Sequence, residues 1–150
     1  MKTGPLQKYL NERIPLSKAM GVEVIEASIN CVKLSAPLSP NINHRETVFG
    51  GSASAVAILS AWSLLYLRLY NENKNSRIVI QRNTMIYEHP ITDRFTASSD
   101  APDQADWLKF LITLKRKNRA RIKVKSILHC NNEKVGQFEG DFVALNRQTG

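Results

Sequence analysis

From Asn43 to Ser52 the chain reads Asn, His, Arg, Glu, Thr, Val, Phe, Gly, Gly, Ser, and this stretch gathers the groups best suited to chemistry. The imidazole of His44 is a side chain of the kind that suits proton transfer. Glu46 is the one carboxylate between Asn43 and Asn71, which makes it a candidate general base. The carboxamide of Asn43 can orient a water or a carbonyl group. Gly50 and Gly51 let a ligand approach the backbone closely. If a helix begins there, its first N–H groups have no intrahelical acceptor and stand at the positive end of the dipole. Such a start can hold a developing oxyanion, for example the carbonyl oxygen of a thioester attacked by water. Each group also has a purely structural role open to it. Asn43 can bond its own turn, His44 and Glu46 can face solvent, and Gly50, Gly51 and Ser52 can be a plain loop-to-helix turn. No Ser-His-Asp arrangement and no metal-ligand spacing can be read, and Cys31 and Cys130 stand singly, so no metal or cofactor is expected.

The element that must carry this turn follows it. From Thr47 to Leu67 there is no charged residue in 21 positions, and the pattern predicts one long helix over about 51–71, apolar on every face and buried. Ala53, Ala57 and Ala61 form a stripe of small residues, while Ile58, Trp62, Leu65 and Leu69 form a bulky one. A membrane span is the rival reading. Arg68 ahead of the last apolar residues, and the glycines and serines at the other end, argue against it.

Around that helix the chain reads mainly as strands. A short amphipathic helix over 6–13, ended by Pro15, is expected to lie across the domain as a lid. Strands are predicted over 22–29, 32–38, 78–87, 94–99, 121–128 and 135–145, the last two joined by a turn at Asn131, Asn132 and Glu133. The stretch 103–117 fits both a strand and a helix. Asp103 as N-cap and Lys115 to Lys117 at the C-terminus favour a helix burying Trp107, Leu108, Leu111 and Leu114. The order predicts an α+β fold in one domain over 1–150: a long central helix wrapped by a curved antiparallel sheet. One sheet cannot cover every face of such a helix, so a second copy of the chain is expected to close the rest.

Composition excludes a disordered or fibrous chain, with 43% hydrophobic and 23% charged residues among 150. No secretory signal pattern opens the sequence, and a reducing cytoplasm is the expected location. The net charge of +8 is local. Eight bases and no acid lie between Lys109 and Lys125, and the remaining chain has 13 of each sign. Such a patch suits an anionic partner: a nucleotide phosphate, an acidic carrier protein or nucleic acid. Phe110 is the only aromatic residue in the patch, which weighs against base stacking and so against nucleic acid. The structural alternative is a solvated edge-strand face.

Asn43, Thr47, Phe49, Gly50, Gly51, Ser52 and Trp62, with the closing segment Arg119 to Leu145, resemble the hot-dog fold acyl-CoA thioesterases. The resemblance is nearest to the branch similar to the C-terminal domain of the bacterial protein YiiD. It covers about 15–145 and implies a homodimer or dimer of dimers, with an acyl-CoA or acyl-carrier thioester bound at the subunit interface. The Gly50 and Gly51 amides would then be oxyanion donors, and Thr47, Phe49 and Ser52 would line the substrate. Hydrolysis would have the Gly51 and Ser52 amides polarise the carbonyl while Asn43, helped by Glu46 or His44, positions water. Two departures stand out. Phe49 replaces a common His, and the helix position eight residues later, where relatives carry an acid, is Ala57. A non-catalytic acyl-binding or regulatory module is therefore the alternative, and Asp100 or Asp103 are further carboxylates that folding could bring near.

Overall fold

The computed structural model describes residues 3–147. Two short helices come first, α1 (Gly4–Arg13) and α2 (Pro15–Ala19), then strands β1 (Glu23–Ala27) and β2 (Cys31–Ala36). After a 3-10 turn at Ser39–Asn41 come α3 (Gly50–Asn71), β3 (Ser76–Tyr87), β4 (Phe95–Asp100), α4 (Gln104–Lys117), β5 (Arg119–Cys130) and β6 (Glu133–Asn146). Pro15 does more than end a helix: it opens α2, where its missing N–H is no loss.

The six strands form one antiparallel sheet in the order β1-β2-β4-β5-β6-β3, which leaves β1 and β3 as edges. Alternation in β5 is complete. Ala120, Ile122, Val124, Ser126, Leu128 and Cys130 are buried and the residues between them exposed. Asn131 and Asn132 turn the chain into β6 with φ of 52° and 63°, the left-handed pair that a two-residue hairpin loop requires and that Asn tolerates.

Helix α3 packs against β2, β3, β4, β5 and β6, so the sheet bends round it. Ala53, Ala57 and Ala61 are buried and let the helix backbone approach the sheet. Three buried serines then tie helix to sheet. Ser60 Oγ lies 3.0 Å from Val32 O and 2.9 Å from Ser99 Oγ, Ser99 Oγ lies 2.5 Å from Ser126 Oγ, and Ser126 Oγ donates to Ala57 O at 3.2 Å. By length and a mean hydropathy of 1.4 this helix could cross a membrane, but 56% of that stretch is buried inside the fold.

Within one chain the burial of α3 is not complete, because one sheet does not cover every face of the helix. Ala55, Ile58, Trp62 and Tyr66 make a half-buried stripe that the sheet leaves uncovered. Helix α1 covers part of it. Tyr9 stacks on Tyr66 at 4.6 Å, Tyr66 on Trp62 at 5.3 Å, and Trp62 Nε1 donates to Ile78 O at 3.1 Å. The carboxamide of Gln7 takes the Val24 N–H at 2.7 Å and donates to Val22 O at 2.9 Å, pinning α1 to the start of β1.

Helix α4 forms as the sequence favoured, with Trp107 and Leu114 buried and Leu111 half-buried as expected, but with Phe110 inside in place of Leu108. Trp107, Phe110 and Leu114 are buried, whereas Leu108 is 47% exposed. The buried face is set by its neighbours: Trp107 lies under the Arg68 guanidinium, 4.4 Å from ring centroid to Cζ, at the far end of α3. Asp103 holds the N-cap position without a side-chain cap bond.

Candidate active site

Helix α3 starts at Gly50 because Phe49 is extended, with φ −56° and ψ 131°, and the next residue turns helical. Two long-range bonds fix the entry: Phe49 N–H donates to Asn41 O at 2.7 Å, and Val48 N–H to Ile91 O at 2.8 Å. Asn41 is itself buried, its Nδ2 donating to Met20 O at 2.9 Å and Pro37 O at 2.8 Å. The Ser52 and Ala53 N–H groups both turn back to Phe49 O, at 2.9 and 3.1 Å. Among the described residues, no backbone carbonyl takes the N–H of Gly50 or of Gly51. Of the expected amides, those of Gly50 and Gly51 thus stay open at this helix start, while that of Ser52 is engaged by Phe49 O.

A hollow of about 370 Å³ opens at this start. Thr47, Gly50, Ala53, Tyr87, Glu88 and His89 line it, with Val48, Pro90 and Ile91 closing it. Tyr87, the last residue of β3, donates its hydroxyl to Gly50 O at 2.8 Å. Gly50 C=O and Gly51 N–H belong to one planar peptide unit, so a bond that holds the carbonyl also holds the N–H. The Tyr87 ring is 54% exposed, but its hydroxyl end is tucked against the helix, and burial there raises the phenol's pKa. Glu88 Oε1 lies 3.1 Å from Lys134 Nζ, and His89 Nε2 lies 3.5 Å from Glu133 Oε1. A larger hollow of about 550 Å³ beside Lys33, Arg94 and His129 is lined by no helix start.

The residues singled out in the sequence divide here. Thr47 and Gly50 line the hollow. Phe49 is 58% exposed, with its ring over Gly51 so closely that a Cβ there would sit 2.4 Å from Phe49 Cε2. Asn43 is occupied by its own loop: Nδ2 donates to Thr47 Oγ1 at 2.9 Å, and Oδ1 accepts from Arg45 N at 2.8 Å and Thr47 N at 3.2 Å. His44 and Glu46 are exposed at the tip of that loop, Glu46 with φ 63°, and neither lines the hollow. Asp100 and Asp103 flank a separate hollow on the side of α4. Tyr87, Glu88 and His89 are the site residues that sequence reasoning passed over. Their one local signal is three functional side chains in a row at a strand end stopped by Pro90. Among the described residues no cluster of three or more His, Cys, Asp or Glu could hold a metal.

The sequence matches the family described as "Putative thioesterase (yiiD_Cterm)" over residues 3–146. The chain belongs to that family. Among solved structures it is similar to a protein of unknown function from Chlorobaculum tepidum, with 28% identity and a TM-score of 0.91 over 97% of this chain and 94% of that one. It is also similar to a "putative thioesterase" from Shewanella oneidensis, with 27% identity and a TM-score of 0.85 over 95% and 96% of the two chains. A thioesterase from Haemophilus influenzae, 11% identical over 97% and 92% of the chains with a TM-score of 0.77, shares the fold. The fold is the hot-dog fold: α+β, a long central helix held in an antiparallel sheet.

Proposed function

We propose that this thioesterase-family chain hydrolyses an acyl thioester, carried by coenzyme A or an acyl-carrier protein, in the hollow at the start of α3. The observation that carries the reading is the pair of unpartnered amides, Gly50 and Gly51, at a helix start beside a hollow that also holds an imidazole. The thioester oxygen sits against these amides, which are worth more to the tetrahedral oxyanion than to the ground-state carbonyl. His89 takes a proton from water as the water oxygen bonds to the carbonyl carbon. The intermediate collapses by breaking the C–S bond, and the imidazolium returns the proton to the leaving thiolate. Glu133, 3.5 Å from His89 Nε2, can orient the ring so that its other nitrogen faces the water. Asn43 acts through Thr47, holding that side chain at the hollow's wall, and His44 and Glu46 stay at the mouth of the loop.

The active form we propose is a homodimer built on the free edge of β3. That strand is 12 residues long, lacks proline, and exposes Val79, Ile86 and Tyr87. An open edge of this kind is a template for a second chain. The same contact would bring a partner copy to the hollow and to the half-buried stripe of α3. Cys31 and Cys130 are free thiols, in keeping with a cytoplasmic setting.

One observation favours a second reading, a non-catalytic acyl-binding module: Ala57 is fully buried and α3 carries no carboxylate. Acyl-CoA panels with thiol release as the readout separate the two. His89→Gln should lower kcat by about 10²- to 10⁴-fold with KM little changed. Saturable binding of acyl-CoA with no turnover above buffer would leave only the binder.

A further inference from the structure

Helix α4 turns a second face outward. Ala105, Leu108 and Ile112 recur along it at helical spacing, all exposed, with Leu108 at 47% and Ile112 at 58%. Lys109, Lys115 and Arg116 flank this stripe on the same side of the helix, and Asp106 lies well round from it. Lys117 ends the helix, and Asn118, with φ 58°, reverses the chain so that Arg119 and Arg121 continue the charge onto β5. Among the described residues none of these six bases has an acid within ion-pair distance. Farther along β5 the charge is partly offset: Lys123 and Lys125 share Glu139, at 3.9 and 3.6 Å. In the last turn of the helix Leu114 O takes neutral donors, Asn118 N at 2.9 Å and Asn146 Nδ2 at 3.2 Å. Among the described residues the one side-chain partner of these six bases is neutral: Arg121 Nη1 donates to Gln81 Oε1 at 3.3 Å.

The geometry points to the outer face of α4 as a docking site for an acidic protein. On the thioesterase reading, that protein is the acidic carrier on which the acyl thioester arrives. Charge complementarity names the sign of the partner, and the apolar stripe names its size. Phosphates of a nucleotide would be served by cations alone and gain nothing from Leu108 and Ile112. An acidic helix with an apolar residue would bury both while its carboxylates meet the flanking bases. An anionic membrane asks for deeper apolar insertion, but Trp107 and Phe110, the aromatic residues of this helix, are turned into the core. The buried Phe110 likewise offers nothing for a base to stack on.

The test uses the whole protein and a purified bacterial acyl-carrier protein, in its apo form for binding and loaded with one acyl chain for turnover. The same acyl chain on coenzyme A, and vesicles of anionic phospholipid, serve as comparisons. Lys109→Glu/Arg116→Glu and, separately, Ile112→Gln should each weaken apo-carrier binding by about tenfold or more, with wild-type affinity falling steeply as salt rises. Each variant should lower kcat/KM for the acyl-carrier thioester by a similar factor and leave that for acyl-CoA within about twofold. Both variants lie on the surface, and an unchanged melting temperature shows that they fold. Absence of saturable carrier binding by wild type at low salt would overturn the docking site whether or not the protein hydrolyses thioesters. So would vesicle binding without carrier binding. An equal loss on acyl-CoA would reassign the bases to nucleotide phosphates and overturn the protein partner. Failure of hydrolysis on every substrate, with carrier binding intact, would remove the catalytic reading alone.

Discussion

Tyr87→Phe removes one oxygen and with it the 2.8 Å bond to Gly50 O. The ring remains, so packing is kept and the change is confined to one end of the Gly50–Gly51 peptide. A hydrogen bond of this type contributes about 0.5–1.5 kcal/mol net. If that free energy is what keeps the Gly51 N–H aimed at the oxyanion, its loss raises the barrier by the same amount. At about 1.4 kcal/mol per decade of rate, kcat should fall by about 2- to 12-fold. Complete loss of an oxyanion donor would cost roughly 10²- to 10³-fold, so a much larger drop would mean that Tyr87 touches the reacting atoms itself. Ground-state binding uses the amides less than the transition state does, and KM should therefore move by less than about twofold. Burial raises the phenol's pKa, so the hydroxyl keeps its proton and goes on donating as pH rises. The ratio of wild-type to variant kcat should consequently be flat between about pH 7 and 9. Thiol release from acyl-CoA in steady state measures all of this, with a melting curve as control for folding. An unchanged kcat, or a loss expressed wholly in KM, would refute the reasoning that Tyr87 holds the donor.

The two glycines should respond oppositely to alanine. At Gly50 a Cβ meets Tyr87 at 3.4 Å and should be tolerated, whereas at Gly51 it meets Phe49 Cε2 at 2.4 Å and must displace that ring. Gly51→Ala should cost about tenfold in kcat/KM but under about 1 kcal/mol in stability, because the exposed ring can swing outward. The double variant Phe49→Ala/Gly51→Ala should melt no lower than Phe49→Ala alone; lower melting would show a clash with something other than the ring. Ser126→Val should destabilise by about 1–3 kcal/mol in denaturant unfolding, since Ser99 and Ala57 O each lose a partner in a dry interior. Unchanged stability would mean the serine network contributes nothing. The Cys31 thiol is pushed up to about 12, by burial first and then by Glu26 and Asp100. Its folded pKa lies above its unfolded value, so its contribution to stability is whole below about pH 9 and is lost as pH climbs towards 12. Iodoacetamide at pH 8.5 should label it at least about tenfold more slowly in the native protein than in urea, and equal rates would contradict the shift.

The frame was legible in the sequence because it rests on local periodicity. A run of 21 uncharged residues with small and bulky stripes specifies α3, strict alternation from Arg121 onward specifies most of β5, and Asn131–Asn132 specifies the turn between β5 and β6. The glycines at the head of α3 were equally readable, since only a helix start makes an amide pair useful. Tertiary structure decided everything that depends on which surfaces meet. Leu108 and Phe110 both fit the helical spacing of α4, and only the presence of Arg68 over Trp107 and of β5 beneath selected the face that carries Phe110 inward. The carboxamide of Asn43 could serve a ligand or its own turn, and the fold spent it on Thr47 and Arg45. Tyr87 reaches Gly50 across 37 residues and brings Glu88 and His89 with it. Periodicity records which side of an element is apolar; it does not record which distant strand end that side will meet, and the chemistry of this site lies at such a meeting.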